Sequence, residues 1–216
     1  MLTVNTNSEN QKLQIEPLLE ASFPIQPGSL ISSMHGYSLY SALKKKIPWF
    51  GDCSMTSVSS VAGIKNGKGQ IETQEFSRLC IRTLLSKASS LYSLAGETLS
   101  IGQGNISLKI PTIAPLTAKS TLKARIVVIH LSLKEPNPSP DLFLAAATRQ
   151  LKEREIKGKV SIMLRRGALD RKVLIVKGKK NPGFGVQVTG LCEEDSLKLK
   201  MLGLGGRTKM GAGFFR

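Results

Sequence analysis

The sequence predicts an α+β protein made of two tandem ferredoxin-like (RRM-like) domains with antiparallel sheets. The chain has 216 residues, enough for two domains of about 100 residues each. Apolar periodicity gives the element order β-α-β-β-α-β in the first half. The second half repeats that order with one extra strand, although the sequence itself shows no repeat. We predict an N-terminal domain at residues 1–115 and a C-terminal domain at residues 116–216.

The predicted elements of the first half follow from apolar spacing and from the positions of proline and glycine. Leu39, Leu43 and Ile47 recur at helical spacing, and Pro48 ends that helix. The predicted order is an extended segment at 12–25, this helix, strands at 57–64 and 72–83, a helix at 84–94, a hairpin formed by 98–101 and 106–113, and a linker flanked by Pro111 and Pro115.

The second half begins with a strongly apolar strand at 122–133. Asp141 is then placed to cap a helix at 142–156. Strands are predicted at 159–164, 172–177 and 184–188. A run of three acids beginning at Glu193 opens a helix that ends at Leu202, because carboxylates favour the positive end of a helix. A glycine-rich loop and a short final strand close the chain.

Positive charge is concentrated in the second half. The formal net charge is +16, of which residues 1–115 carry +3 and residues 116–216 carry +13. Nine cations and one acid, Asp170, fall between Lys157 and Lys180. A solvated surface normally alternates charge signs, and this segment does not. We therefore predict a nucleic-acid partner. Ferredoxin-like sheets are frequent RNA platforms, but the fold alone does not fix the function.

Composition argues against several other classes. No apolar run approaches the roughly 20 residues that span a bilayer, and the first residues lack a signal-peptide layout, so a soluble, cytoplasmic protein without membrane contact is expected. Cys53, Cys80 and Cys192 are far apart in the sequence, and the chain has only two histidines. This spacing and number of ligands do not indicate a structural zinc site. Acidic residues are few and unclustered, which disfavours a two-metal nuclease. We predict no metal and no cofactor.

The last sixteen residues, MLGLGGRTKMGAGFFR, form a loop in which five glycines surround two cations. Glycine permits positive φ and close backbone approach, so we expect the loop to lie against phosphates. The turn KNGKG is either a second phosphate contact or only a hairpin tip. The predicted RNA-binding residues are Lys65, Lys68, Arg165, Arg166, Arg171, Lys177, Lys179, Lys180, Gly203, Gly205, Gly206, Arg207, Lys209, Gly211 and Gly213.

The candidate catalytic residues are His35 and Tyr37, at the start of the first helix. The positive end of a helix disfavours imidazolium, so His35 is expected to be neutral at pH 7, as a general base must be. The same helix end attracts phosphate, which suits removal of a proton from a ribose 2′-OH. The spacing of these residues also allows a purely structural alternative. In that alternative, His35 only satisfies the hydrogen bonds of a turn, and the tyrosine packs in the core. His130 is interpreted as a core or edge-strand histidine.

Three stretches resemble the RAMP-superfamily endoribonucleases that process CRISPR precursor RNA, in their cyanobacterial and myxobacterial branch. They are HGYSLYSAL, NPGFGVQVTGL and GLGGRTKMGAGFF, which occur in the family's order along nearly the whole chain. The resemblance implies metal-independent cleavage of repeat RNA by its 2′-OH, giving a 2′,3′-cyclic phosphate (or 3′-phosphate) and a 5′-OH. It places the general base at His35, and it implies that the glycine loop supports the RNA and the domain interface.

One departure from the family leaves the second catalytic group open. Relatives often carry another histidine after the second strand, where this chain has SVSSVAGIKNGKG. Lys65, Lys68, Arg165 and Arg166 are the candidates. The expected partners are CRISPR repeat RNA, or precursor crRNA, and a CRISPR effector complex, with no DNA; the protein is expected to be a monomer or homodimer. The alternative function is a non-catalytic RNA-binding subunit of a ribonucleoprotein, of RAMP or ribosomal type.

Overall fold

The computed structural model describes residues 16–131 and 138–216. Four α-helices are present in these ranges: α1 (Gly36–Lys46), α2 (Leu85–Ala88), α3 (Pro140–Glu153) and α4 (Glu193–Leu202). The strands are β1 (Leu18–Pro24), β2 (Leu30–Ser32), β3 (Ser57–Val58), β4 (Ile64–Lys65), β5 (Gln70–Glu72), β6 (Arg78–Leu84), β7 (Thr98–Ile101), β8 (Gly104–Ser107), β9 (Thr112–Pro115), β10 (Thr121–Val127), β11 (Lys159–Ile162), β12 (Leu164–Arg165), β13 (Ala168–Leu169), β14 (Arg171–Val176) and β15 (Lys179–Thr189).

The first sheet has the strand order β3-β6-β1-β9, and every neighbouring pair is antiparallel. This is the order of a ferredoxin-like βαββαβ unit. Alternate residues of β1, such as Ala21 and Phe23, are buried against Leu39 and Leu43 of α1. Pro48 follows the end of α1, as predicted, and begins a short 3-10 helix, Pro48–Gly51.

The second sheet repeats the same order. β10 pairs with β15, β15 pairs with β11, and an isolated bridge joins Ala124 of β10 to Phe215 near the C-terminus. β15 is long enough to pair with β14 along its first half, which forms a hairpin that turns at Lys177 and Gly178. We call residues 171–189 the basic hairpin. The predicted α+β fold with tandem ferredoxin-like units and antiparallel sheets is confirmed.

Several predicted elements differ in detail. The strand predicted at 57–64 is divided between β3, in the first sheet, and β4, in a separate small sheet with β5 and β2. The strand predicted at 72–83 is broken between β5 and β6, and the helix predicted at 84–94 is one α-turn followed by the 3-10 helix Ser89–Leu94. Asp141 lies in the first turn of α3, but Ser139 is the N-cap residue and makes no side-chain cap.

The predicted linker was wrong. Residues Thr112–Pro115 form β9, which pairs with β1 at the edge of the first sheet. An edge strand tolerates proline because one side of its backbone needs no sheet partner. The two sheets fall on either side of the proposed boundary between residues 115 and 116, and that domain division stays a prediction. Residues 12–15 of the predicted first segment and 132–133 of the predicted strand lie outside the described residues.

The two halves are joined through a buried arginine. The Arg82 side chain of β6 is 1% exposed, and its Nε donates to Glu20 Oε2 at 2.8 Å. Its other nitrogens donate to the carbonyl oxygens of Lys200 at 3.0 Å and Phe215 at 2.7 Å. The guanidinium also stacks 3.8 Å from the ring centroid of Phe214. Arg82 therefore fixes the C-terminal segment to the first sheet.

Candidate functional site

His35 caps the start of α1 and is enclosed by protein. It is 1% exposed. Its Nε2 accepts a hydrogen bond from the backbone N–H of Val61 at 3.0 Å, so the ring proton lies on Nδ1, which donates to the carbonyl oxygen of Ser32 at 2.9 Å. His35 thereby ties the segment before α1 to the segment after β3, with both ring nitrogens occupied.

The charge state of His35 follows from this enclosure. Burial lowers the pKa of His35 from 6.5 to about 4; the hydrogen bond to Ser32 opposes the shift, and the positive charge of Arg125 adds to it. His35 is therefore neutral at pH 7, and burial rather than the helix end is the main cause. The carbonyl of Met210 packs against Gly36, where a Cβ would overlap it, so the glycine loop lies against the start of α1.

Tyr37 is the second residue of α1, and His35 is not among the residues that line the groove beside it. It lines a groove of about 840 Å³ between α1 and the basic hairpin. We call this the tyrosine groove; its polar lining is Tyr37, Tyr40, Ser41, Lys44, Lys45, Lys177, Lys179, Asn181 and Arg207. Tyr40 turns inward, with its ring centroid 6.0 Å from that of Phe50. Lys44 and Lys45 were not among the predicted RNA-binding residues, because a basic last turn is ordinary for a helix.

A second groove, of about 420 Å³, runs along the other side of the basic hairpin. We call it the Arg125 groove. It brings together cations from both halves of the chain, and its charged lining is Lys65, Arg125, Arg165, Asp170, Arg171 and Lys172. Asp170 supplies its negative charge, and that carboxylate is paired with the Lys172 ammonium at 2.7 Å.

A third cavity, of about 730 Å³, lies at the end of β10. This His130 pocket is lined by His130, Lys179, Lys180, Asn181 and Arg207 among others. The interpretation of His130 as a core or edge-strand residue was wrong, since His130 lies beyond the end of β10 and is exposed. The His130 pocket shares Lys179 and Arg207 with the tyrosine groove, and Pro138 and Pro182 with the Arg125 groove. The three cavities therefore adjoin around the basic hairpin and together form one largely cationic surface.

The structure distributes the predicted RNA-binding residues unevenly. Lys65, Arg165, Arg171, Lys177, Lys179, Lys180 and Arg207 line the three cavities. Lys68 and Arg166 are exposed on turns away from these linings, and Arg166 has a positive φ of 53°. The ammonium of Lys209 donates to the carbonyl of Gly51 at 2.6 Å, so it joins the glycine loop to the first half.

The glycine loop packs closely against other parts of the protein, and its contact with RNA stays a prediction. Gly203, Gly205, Gly211 and Gly213 all have positive φ, as predicted from their residue type. Their close neighbours, however, are protein atoms rather than open space: a Cβ on Gly203 would meet the Gly213 carbonyl, and one on Gly211 would meet Ser60. These four glycines serve internal packing in the described conformation. Gly206 alone of the five predicted loop glycines is open on its Cβ side.

Arg125 is the residue that sequence reasoning missed. It lies on the outward face of β10, and its guanidinium crosses to the first half, where it donates to Ser60 Oγ at 3.0 Å and to the Ser33 carbonyl at 3.3 Å. Ser60 Oγ in turn donates to the carbonyl of Gly211 at 3.3 Å. In the sequence Arg125 is one of two cations that alternate with apolar residues along a strand, so nothing distinguishes it from Lys123.

Two tandem ferredoxin-like units with a cationic surface between them define the class of protein to which this chain belongs. The family described as Cas6 Crispr matches residues 19–216. The CRISPR-associated endonuclease Cas6 of Myxococcus xanthus is 29% identical over 193 residues, covering 89% of this chain and 78% of that protein. The chain belongs to the Cas6 family.

Solved structures show the same fold. A Cas6-related protein from Pyrococcus furiosus superposes with a TM-score of 0.63 at 15% identity, covering 93% of this chain and 98% of that one. A protein described as a RAMP protein binding different RNA substrates superposes with a TM-score of 0.61, also at 15% identity and with the same coverage. Within the described ranges, no helix is long and apolar enough to cross a membrane.

Proposed function

We propose that this protein cleaves CRISPR repeat RNA within precursor transcripts and so produces crRNAs. The observation that carries the proposal is the largely cationic surface around the basic hairpin, in a chain of the Cas6 family. Arginine and lysine side chains in grooves of this kind neutralise phosphates, and this interaction supplies most of the affinity for RNA. RNA follows the junction of the two halves, where the surface passes the start of α1.

The proposed reaction needs no divalent metal. The ribose 2′-OH gives its proton to a base and attacks the neighbouring phosphorus, the bond to the 5′-oxygen breaks, and that oxygen takes up a proton. The products carry a 5′-OH and a 2′,3′-cyclic phosphate, or a 3′-phosphate where water then opens the cyclic phosphate. The surface supports this chemistry because the Arg125 groove is dominated by cations and its Asp170 carboxylate is already paired with Lys172. Among the residues that the structure describes, no group of carboxylates that could hold two metal ions is gathered there.

His35 remains the proposed general base, with Tyr37 as its neighbour in the tyrosine groove. A base needs a free lone pair within reach of the proton that it removes. In the described conformation the Nε2 lone pair accepts from Val61, so base catalysis by His35 requires RNA binding to open that hydrogen bond. If the bond stays closed, His35 acts instead as a positioning residue for the segments on either side of it.

Two substitutions distinguish these roles. His35→Ala removes both the base and the bridge, and should lower the single-turnover cleavage rate by about 10²–10⁴-fold if His35 is the base. His35→Gln keeps an amide that can bridge the same two segments but cannot act as a base at pH 7. An equal loss in both variants supports base catalysis, whereas recovery in His35→Gln assigns a positioning role.

The alternative is a non-catalytic RNA-binding subunit of a ribonucleoprotein, and the occupied nitrogens of His35 favour it. Labelled repeat RNA incubated with the protein in EDTA separates the two functions. A single cut in EDTA, abolished by a 2′-deoxy nucleotide on the 5′ side of the cut, supports the endoribonuclease. Tight binding without cutting supports the subunit, and activity restored only by Mg²⁺ or Mn²⁺ would contradict the metal-independent reaction.

The proposal extends to partners and location. RNA rather than DNA is the proposed ligand, because a 2′-OH is the nucleophile. We further propose a cytoplasmic protein that acts as a monomer or homodimer and passes its product to a CRISPR effector complex. Gel filtration of the protein with and without repeat RNA tests the oligomeric state directly.

A further inference from the structure

We propose that Arg125, supplied by the second half of the chain, is a catalytic residue that contacts the scissile phosphate. This inference rests on the proposed function and adds to it a residue that completes the site across the junction. The second catalytic group, which the sequence left open among Lys65, Lys68, Arg165 and Arg166, is then assigned to none of these four.

The first argument is the position of Arg125 relative to His35. His35 bonds to Ser32 and Val61, and Arg125 bonds to the adjacent residues, Ser33 and Ser60. Both side chains therefore join the same two segments, His35 from the buried side and Arg125 from the groove side. A phosphate that approaches the His35 segments from the Arg125 groove meets the guanidinium first.

The second argument is the free hydrogen-bonding capacity of Arg125. A guanidinium has five N–H donors, and both acceptors that Arg125 contacts, a hydroxyl and a carbonyl, are neutral. Among residues 16–131 and 138–216, no carboxylate lies within ion-pair distance of it. Arg82 shows the contrast, because it is buried and bonded to a carboxylate and two carbonyls. Burial lowers the pKa of Arg125, and the negative charge of Asp170 in the same groove opposes that shift. The ion pair of Asp170 is with Lys172, so Arg125 keeps N–H donors for an anion that enters the groove.

The third argument is a small cavity beside the guanidinium. Its volume is about 20 Å³, and Ser33, Gly36, Ser60, Arg125 and Lys172 are among its lining residues. A cavity of roughly 10–15 Å³ holds one water-sized atom, and a non-bridging phosphate oxygen is of that size. The cavity shares Ser33, Arg125 and Lys172 with the larger groove, and its lining also includes the apolar residues Ile126, Leu174 and Met210. It is therefore a recess that adjoins the groove and has one polar side.

The chemistry needs a cation at this point. As the bond from O2′ to phosphorus forms, the 2′-OH proton passes to the base, and the 5′-oxygen leaves and takes a proton from water. Negative charge accumulates meanwhile on the non-bridging oxygens of the phosphorus. A preorganised guanidinium stabilises that charge more in the transition state than in the substrate, which is the condition for catalysis. The hydrogen bonds to Ser33 and Ser60 hold Arg125 in place before the RNA arrives.

The test compares Arg125→Gln and Arg125→Lys with Arg149→Gln, a matched control on the exposed face of α3 whose arginine pairs with Glu153. Single-turnover cleavage of repeat RNA and RNA affinity are measured for each. We expect Arg125→Gln to cut about 10²–10³-fold more slowly, with affinity changed only a few-fold. Arg125→Lys should recover part of the rate, since an ammonium restores charge but not the paired donors. Arg149→Gln should match wild type.

A second readout separates catalysis from a structural role. Repeat RNA is prepared with one phosphorothioate at the cleavage position, and its two diastereomers are separated. Wild type should cut one diastereomer more slowly, and Arg125→Gln should lose much of that difference because the contacted oxygen no longer matters. An unchanged rate in Arg125→Gln, or a slower rate with unchanged diastereomer preference, overturns the role of Arg125. If wild type binds repeat RNA without cutting it, the proposed function fails, and this inference fails with it.

Discussion

The enclosure of His35 predicts a specific dependence of stability on pH. The pKa of His35 falls from 6.5 to about 4 on folding, mainly through burial. The unfolded chain therefore binds a proton more readily than the folded chain between these two pH values. Stability contributed by neutral His35 is fully present above pH 6.5 and is lost as pH falls toward 4. Integrating between pH 7.5 and pH 4.5, this one group should cost about 2.5 kcal/mol of unfolding free energy.

The measurement is urea unfolding of wild type and His35→Gln at pH 7.5 and pH 4.5. Both proteins lose stability from other groups as pH falls, but the loss in wild type should exceed that in His35→Gln by about 2–3 kcal/mol. Nuclear magnetic resonance gives an independent check, because the chain has two histidines and His130→Gln assigns their signals. Equal losses in both proteins, or a His35 signal that titrates near pH 6.5, would refute the enclosed, neutral histidine.

Three further predictions concern binding and the junction. Charge reversal of Arg165 and Arg166 should weaken RNA binding. It should also flatten the slope of log K against log salt concentration by about one unit for each phosphate that is no longer neutralised. An unchanged slope would show that both cations are solvated and do not contact RNA. Gly213→Val should destabilise the fold by about 2–4 kcal/mol in urea unfolding, because φ is +64° and the new Cβ would overlap the Leu204 carbonyl; normal stability would contradict that packing. Arg82→Met should lower the free energy of unfolding by about 3–5 kcal/mol, because it leaves a carboxylate and two carbonyls without their partner. An unchanged unfolding midpoint would contradict the role of Arg82 in joining the two halves.

Elements with strong local signals were predictable. α1 has its helical apolar spacing and its terminating Pro48, and α4 begins at the acidic run of Glu193 and ends at Leu202 as expected. β15 was predicted too short, at 184–188, because its first residues are polar and pair only with β14 in an exposed hairpin. Pairing of this kind satisfies backbone groups without apolar side chains, so it leaves little trace in an apolar pattern.

The exposure of the cations was partly predictable from the sequence, whereas the contacts between the two halves of the chain were not. The cations between Arg165 and Lys180 are opposed by one acid, Asp170, and all of them except Lys172 are exposed, as a cluster of like charge predicts. Glycines in the C-terminal loop correctly indicated positive φ and close approach, but residue type does not say what approaches. At Gly211 it is Ser60, from 151 positions earlier in the chain, rather than a ligand.

The arrangement of anchors explains why the candidate site requires both halves. His35 and the segments that it joins belong to the first half, while Arg125 reaches Ser33 and Ser60 of those segments from the second half. A guanidinium stabilises a developing charge only when it is held within a fraction of an ångström of its productive position. Three contacts restrict the movement of the two halves relative to each other. Arg82 bonds to carbonyls near the C-terminus, Lys209 bonds to Gly51, and the glycine loop packs against α1. The tightly packed glycines thus serve the site indirectly, because they fix the angle at which Arg125 crosses the junction.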